Sequence, residues 1–431
     1  MKLLNPRGMS DAAPEEMILK QEVIDRIRRV FELYGYAPLD TPLIERYDVL
    51  AAKFAAGEES DAMKEIFKLK DQGGRELGLR FDLTLPFARF IGMNPALKMP
   101  FKRYQIGKVY RDGPVSLNRF REFTQCDVDI AGASSMLAET ELMLLTLDVF
   151  KSLDIDVVID INNRKLMFGL FDYCGIPKNK YQTVAISVDK IFKQGIDAVK
   201  KELREKGISD DSIKKLSSFF MKKGDIKYLE GIKKFLKSDE GLQGFEELKQ
   251  VLENVNSKNL VYSPMLARGL GYYTGTVYEV IMNGEKDSNA ISAGGRYDQL
   301  IGAYLGSKNE VPAVGISFGI ERIMNIVKEK RKKEKKTVSQ VYVIPINTIK
   351  ASLKIVQELR NSGINTSIDL MERGISKNLN LANALNIPFV VFIGQKELQE
   401  KKIKLRDMET GKEQLLSLQD VVKRLKKSHD N

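Results

Sequence analysis

Apolar positions in the first third of the chain follow two periods. Residues 15–34, EEMILKQEVIDRIRRVFELY, carry apolar side chains at helical spacing, and GYAPLDTPLIE then turns into an extended segment held by Pro38 and Pro42. Short apolar runs bounded by turn signals continue through Gly132: EIFKLKD, ELGLRFDLTL, FKRYQIGKVYRD and REFTQCDVDIAG. They predict an antiparallel sheet. A helix over 135–153 and a strand at VVIDINN follow. From about 180 to 255 the sequence is Lys-rich, helix-forming and broken by glycines, the pattern of an inserted helical module. Strand character returns over 260–283, which includes LARGLGYYTGTVYEV, and VPAVGISFGIERIM runs a glycine-rich strand into a helix.

The run KEKRKKEKK, residues 328–336, is the strongest local charge cluster and reads as a solvated boundary. Beyond it QVYVIPI, NTSIDL, FVVFIG and IKLRDM alternate with helical stretches, which predicts a separate α/β domain. The expected organisation is an α+β domain over 1–328 carrying the helical insertion, a basic linker over 329–338, and an α/β domain over 339–431.

Composition narrows the chemistry. At 431 residues the chain has room for two or three domains, and 43% hydrophobic with 29% charged residues is a globular balance. Lys plus Arg exceed Asp plus Glu by 69 to 58, for a net charge of +11, so polyanions are plausible partners. Cys126 and Cys174 stand far apart without CxxC spacing, which fits a reducing compartment. No apolar run reaches the roughly 18 residues of a membrane span, and the opening MKLLNPRGMSDAAPEEM lacks a signal peptide's apolar core, so the expected location is cytoplasmic. The single histidine, His429, excludes Ser-His-Asp triads, Cys-His pairs and HExxH zinc sites. Chemistry must run on Arg, Glu, Asp, Thr and Tyr, which suits electrostatic stabilisation at phosphate.

Four stretches set charge among strand-like apolar surroundings. In LRFDLTLPFARF, residues 79–90, alternation places Arg80, Asp82 and Thr84 on one face, an acid and a hydroxyl suited to a ligand ammonium. In YRDGPVSLNRFREFTQCDVD, residues 110–129, a hairpin gathers Arg111, Arg119 and Arg121, whose forks suit phosphate oxygens. Its second strand puts Phe123, Gln125, Asp127 and Asp129 on one face. Arg268 lies beside Tyr272 and Tyr273, and Arg322 follows Gly315 and Gly319 near a helix start. Each stretch competes with a bland reading: paired surface charges for the first two, glycine packing for the last. Neither GxxxxGK[ST] nor a strand-linked GxGxxG is present, which argues against P-loop and Rossmann sites.

These motifs, in this order, resemble those of the histidyl-tRNA synthetase family of class II aminoacyl-tRNA synthetases, in its eukaryotic and archaeal variant, over nearly the whole chain. NPRGMSDAAPEEM is similar to the family's opening, GYAPLDTPLIE to motif 1 at the dimer interface, and KRYQIGKVYRDGPVSLNRFREFTQCDVDIAG to motif 2. KDQGGRELGLRFDLTLPFARF resembles the histidine-site segment, LARGLGYYTGTVYEV the family's R-G-L-D-Y-Y signature, and AGGRYDQL with VGISFGIERI motif 3. The resemblance implies an antiparallel-sheet class II catalytic domain with a helical insertion, plus a C-terminal anticodon-binding domain. It further implies a homodimer that uses ATP with Mg²⁺ to activate L-histidine and passes it to tRNA-His.

Carried over by position, the family's catalytic arginine is Arg268, and Arg111 contacts the α-phosphate of ATP. Arg119 and Arg322 belong to the ATP site. Asp82, Thr84 and Gln125 hold the amino-acid end of histidine, Asp129 and Tyr273 read the imidazole, and Tyr272 and Tyr297 line the pocket. Two departures stand out: Gly271 replaces the signature's aspartate, and Asn118 replaces a glycine in the motif 2 loop. A non-catalytic, histidine-binding paralogue is the other reading, but such proteins lack the last domain and erode the arginines.

Overall fold

The computed structural model describes residues 2–51, 61–116, 119–268, 272–284, 290–305, 310–331 and 334–427. His429, Asn118 and Gly271 lie outside the described residues. Strands are β1 (Ala37–Pro38), β2 (Ile44–Arg46), β3 (Lys68–Lys70), β4 (Glu76–Leu79), β5 (Phe101–Tyr110), β6 (Glu122–Ala131), β7 (Val157–Asn163) and β8 (Leu260–Tyr262). They continue as β9 (Thr276–Met282), β10 (Ser292–Arg296), β11 (Ala313–Gly319), β12 (Val341–Pro345), β13 (Thr366–Ile368), β14 (Phe389–Ile393), β15 (Ile403–Asp407) and β16 (Glu413–Leu416). The chain divides into two units, Met1–Asp11 with Val23–Glu329, and Ala12–Glu22 with Lys330–Asn431.

The first unit is built on an eight-stranded sheet ordered β1-β5-β6-β11-β10-β9-β7-β8. Every pairing from β5 to β7 is antiparallel, as the alternating runs predict, while the end pairs β1 with β5 and β7 with β8 are parallel. Register places Arg103, Asp129, Gly315, Gly295, Val277 and Asn162 in one row across the sheet. Two residues along, Gln105, Asp127, Ser317, Ala293, Glu279 and Asp160 form the next row. Side chains alternate with period two, so both rows share one face. The intervening residues Cys126, Val128 and Ile130 are buried and apolar. On Phe318 of the neighbouring strand pack Phe31 and Phe150, at ring distances of 5.6 and 5.8 Å. This sheet therefore has one apolar face and one polar face.

Two predicted strands are shorter than expected. β4 ends at Leu79, and a helix, Thr84–Met93, takes over where alternation predicted strand. The Leu85 N–H donates to Asp82 Oδ1 at 2.9 Å, and Pro86 sits in the first turn, so the segment carries a helix start that overrides its alternation. LARGLGYYTGTVYEV is strand only from Thr276, and Arg268, Tyr272 and Tyr273 lie in the connection before it. The Lys-rich stretch is helical, with Ser209, Asp225 and Ser238 capping three of its helices through side-chain oxygens.

In the second unit the sheet order is β13-β12-β14-β15-β16, with parallel pairing of β12 to β13 and β14 and antiparallel pairing beyond. Both faces are apolar: Val341, Val343 and Val391 belong to one core, and Tyr342, Ile344, Val390 and Phe392 to another. Among the described residues no helix is long and apolar enough to cross a membrane.

Candidate active site

A cavity of about 390 Å³ lies over the polar rows of the eight-stranded sheet. Gly315, Gly295 and Ala293 line it with almost no side chain. A Cβ on Gly315 would come within 1.8 Å of Asp129 Oδ1, and one on Gly295 within 2.8 Å of the Tyr273 ring. These glycines are required by close approach.

Three buried carboxylates, Asp82, Asp127 and Asp129, line the same cavity. Isolated buried charges are costly, so each needs a partner or a proton. Arg103, fully buried below them, places Nη2 2.8 Å from Asp129 Oδ2, donates to the Leu83 carbonyl at 3.1 Å, and lies 4.5 Å over the Phe87 ring. Tyr297 Oη donates to Asp129 Oδ1 at 2.5 Å. Burial raises the Asp129 pKa, while Arg103 and Tyr297 pull it back.

Asp127 is less well served. Burial, with the Asp129 and Asp82 charges adding to it and Arg103 opposing, raises its pKa to about 7. Its Oδ1 has no hydrogen-bond partner among the described residues, and neither has Gln125 Oε1, while Gln125 Nε2 donates to Ser317 Oγ at 3.0 Å.

Two arginines complete the lining. Arg111 lies between Phe81 and Phe123, its guanidinium 4.3 and 5.0 Å from the ring centres, and burial pushes its pKa down. Its Nε donates to the Phe81 carbonyl at 3.4 Å, which leaves its two terminal nitrogens to face an anion in the cavity. Arg268 Nη1 lies 3.5 Å from Glu279 Oε1, and its guanidinium 5.9 Å from the Tyr273 ring. Burial works to lower its pKa, but the Tyr273, Glu279 and Tyr272 oxygens outweigh it and the pKa rises. The Tyr272 ring lies 4.5 Å from Tyr273 and edge-on to Tyr297 at 6.2 Å.

Nine sequence-predicted residues line one cavity: Asp82, Thr84, Arg111, Gln125, Asp129, Arg268, Tyr272, Tyr273 and Tyr297. Arg119 and Arg322 do not. Arg119 is exposed and ion-pairs with Glu65, and Arg322, on the helix Ile320–Lys330, donates to the Ala290 carbonyl at 2.5 Å. Sequence reasoning assigned nothing to Arg103, Ser317 or Glu279 and placed Asp127 on the right face without a role. Period two in FKRYQIG puts Arg103 on the face of Gln105, a signal that its central place in a strand makes usable.

The model of the histidyl-tRNA synthetase family matches residues 8–323, and that of the anticodon binding domain matches residues 340–428. The chain belongs to the histidyl-tRNA synthetase family. Histidine–tRNA ligase 1 of Bacillus cereus is 41% identical over 418 residues, 96% of this chain and 97% of that protein. The cytoplasmic histidine–tRNA ligase of Dictyostelium discoideum is 37% identical over 435 residues, covering 96% of this chain and 88% of that one. The crystal structure of histidyl-tRNA synthetase from Nostoc sp. PCC 7120 aligns with a TM-score of 0.88 at 30% identity, over 99% of this chain and 100% of that one. Family membership makes the eight-stranded sheet that of a class II synthetase and the five-stranded sheet that of an anticodon-binding domain.

Proposed function

We propose that this chain is a histidine–tRNA ligase that activates L-histidine with ATP to histidyl-adenylate and transfers the histidyl group to the 3′-terminal adenosine of tRNA-His. The observation that supports this best is one cavity lined by three buried carboxylates and two arginines, Arg111 and Arg268. An amino acid offers an ammonium to the former, and its reacting carboxylate with the α-phosphate needs the latter.

In the first step a carboxylate oxygen of histidine bonds to the α-phosphorus, the bond to the β-phosphate oxygen breaks, and pyrophosphate leaves with that electron pair. The nucleophile is already ionised, so no general base is needed and no side chain must titrate. Negative charge grows on the phosphate oxygens, where Arg111 and Arg268 meet it. Phe81 and Phe123 hold the Arg111 fork from both sides, and Glu279 holds Arg268 without neutralising it fully at 3.5 Å. Asp82, Thr84 and Gln125 bind the amino-acid end, Asp129 and Tyr273 read the imidazole, and Tyr272 and Tyr297 wall the pocket. Arg119 and Arg322, beyond the cavity lining, act on parts of ATP outside it.

Mg²⁺ suits one or two carboxylates plus substrate phosphates. Mg²⁺ arrives with the triphosphate, and no step here is routed through it. The helical insertion within about 180–255 approaches the acceptor arm of tRNA-His, and residues 339–431 take its anticodon, with residues 329–338 as the linker. The protein acts as a cytoplasmic homodimer. ATP–pyrophosphate exchange with each of the twenty amino acids tests the reading: exchange is expected with histidine, and exchange independent of histidine overturns it.

A further inference from the structure

A buried charge pair lies on the apolar side of the eight-stranded sheet. Gly295 lines the cavity, so Arg296, the next residue of β10, turns its side chain to the opposite face. Val277 shares the row of Gly295, so Thr276 before it also faces away from the cavity. There Arg296 meets Glu139, fully buried on the helix Leu137–Ser152, whose Phe150 packs on Phe318. Arg296 Nε and Nη2 donate to the two carboxylate oxygens of Glu139, each at 2.6 Å, and Thr276 Oγ1 donates to Glu139 Oε1 at 2.6 Å. Arg296 Nη1 donates to the Ala133 carbonyl and to Asp298 Oδ1, both at 3.1 Å. Neither Glu139, Arg296 nor Thr276 lines the cavity.

A buried ion pair contributes little net stability over apolar side chains of the same volume, because desolvation consumes most of the attraction. What this pair holds is backbone, and that backbone belongs to the pocket. The Arg296 carbonyl accepts from the Thr274 N–H at 2.8 Å, directly after Tyr273, and a Cβ on Gly275 would come within 3.1 Å of the Arg296 stem. On the other side Asp298 Oδ1, bound to Arg296, accepts from the Ala313 N–H at 3.0 Å, while the Tyr297 N–H donates to the Ala313 carbonyl at 2.7 Å. Tyr297 is thereby clamped between two anchored neighbours. Its Oη donates to Asp129 Oδ1 at 2.5 Å, and the Tyr273 ring rests against Gly295.

We propose that Glu139, Arg296 and Thr276 are positioning residues for imidazole recognition: from beneath the sheet they hold the backbone that aims Tyr273 and Tyr297 at the ring site beside Asp129. The inference rests on the ligase reading of the site and concerns residues that touch neither histidine nor ATP. Reading a ring through hydrogen bonds requires its partners to be held to within about 0.5 Å, and a tyrosine hydroxyl at the end of a long side chain magnifies any drift at its Cα. The phosphate side of the cavity is braced separately, Arg111 by Phe81 and Phe123 and Arg268 by Glu279. Loosening the pair therefore weakens histidine and spares ATP.

ATP–pyrophosphate exchange by the full chain tests this, with rates expressed per active site from the burst of adenylate formed. Thienylalanine, whose ring has the size of imidazole but no nitrogen, serves as a competitor that needs no ring hydrogen bond. Thr276→Val keeps the side-chain shape and removes only the hydroxyl bound to Glu139; Thr276→Ser keeps the hydroxyl and removes a methyl group. Thr276→Val is expected to raise KM for histidine about five- to ten-fold, with KM for ATP and the inhibition constant of thienylalanine within about two-fold of wild type. Thr276→Ser is expected to lower Tm as much as Thr276→Val does, yet to keep KM for histidine within about two-fold of wild type.

Glu139→Gln removes the charge and should raise KM for histidine at least as far. An arginine deprived of its buried counter-ion can cost the fold itself, so where Glu139→Gln does not fold the two Thr276 variants decide. A merely structural role lowers the fraction of active sites and leaves KM per site alone. A wild-type KM for histidine in Thr276→Val, or in folded Glu139→Gln, overturns the proposal. So does a rise in Thr276→Ser equal to that in Thr276→Val, or a KM for ATP that climbs in step with that for histidine. Wild-type exchange that does not depend on histidine overturns the ligase reading instead, and is seen before any variant is made.

Discussion

β6 and β14 are both inner strands of their sheets, and residues 126–131 of the one are as buried as the whole of the other. Their sequences differ in kind. β14, FVVFI, is apolar on both faces and sits between two hydrophobic cores, so its burial is favourable without help from any ligand. β6, EFTQCDVDIA, gives one face to the core and commits the other to Gln125, Asp127 and Asp129. Burying those groups is costly; Arg103 offsets part of the cost at both Asp127 and Asp129, and Tyr297 adds to that relief at Asp129. A sheet that stands by itself and a sheet that waits for a ligand can therefore be told apart by the alternation of one central strand.

The sharpest way to break this contrast is to remove the counter-ion. Arg103→Met should destabilise the first unit by about 3–5 kcal/mol, the usual cost of orphaning a buried charge. The loss should be greater at pH 8 than at pH 6. Without Arg103 the folded-state pKa values of Asp127 and Asp129 rise further, and the carboxylates must be ionised against burial as pH climbs. Denaturant unfolding at the two pH values reads the difference, and an equal or smaller loss at pH 8 contradicts it.

Next in size is Arg268→Ala, expected to lower kcat in pyrophosphate exchange by about 10²–10³ while leaving histidine binding within a few-fold. Exchange at the wild-type rate in this variant removes Arg268 from the chemistry. Gly315→Ala puts a methyl carbon where Asp129 Oδ1 now lies, so KM for histidine should rise by up to about 10² while the variant stays folded. An unchanged KM there denies Asp129 its role. The smallest effect belongs to the other sheet: Ile393→Val should cost about 0.5–1.5 kcal/mol of stability with pyrophosphate exchange unaltered. Altered exchange from so distant a core change in the chain would blur the contrast drawn here.

Much of the site was legible because its strongest signals are local. Period two in REFTQCDVD orders Gln125, Asp127 and Asp129 on one face without knowledge of any partner strand. The same rule failed at RFDLTLP, where alternating side chains conceal a helix start, and the bond from the Leu85 N–H to Asp82 decides the matter. Nor can period predict contacts between remote segments. Tyr297 reaches Asp129 from 168 positions away, and Arg103 meets it across the β5–β6 pair. Glu279 shares a row with Asp127 only through three strand pairings, each fixed by register.

The strand that carries Gln125, Asp127 and Asp129 also acts as a ruler. Alternate residues of an extended antiparallel strand are spaced by roughly 6.8 Å, a length fixed by covalent geometry and not by side-chain rotamers. The carboxylates of Asp127 and Asp129, which line one cavity, rise from footings one such division apart. Replacing either side chain changes how far its own carboxylate reaches but leaves the footing of the other where the sheet holds it.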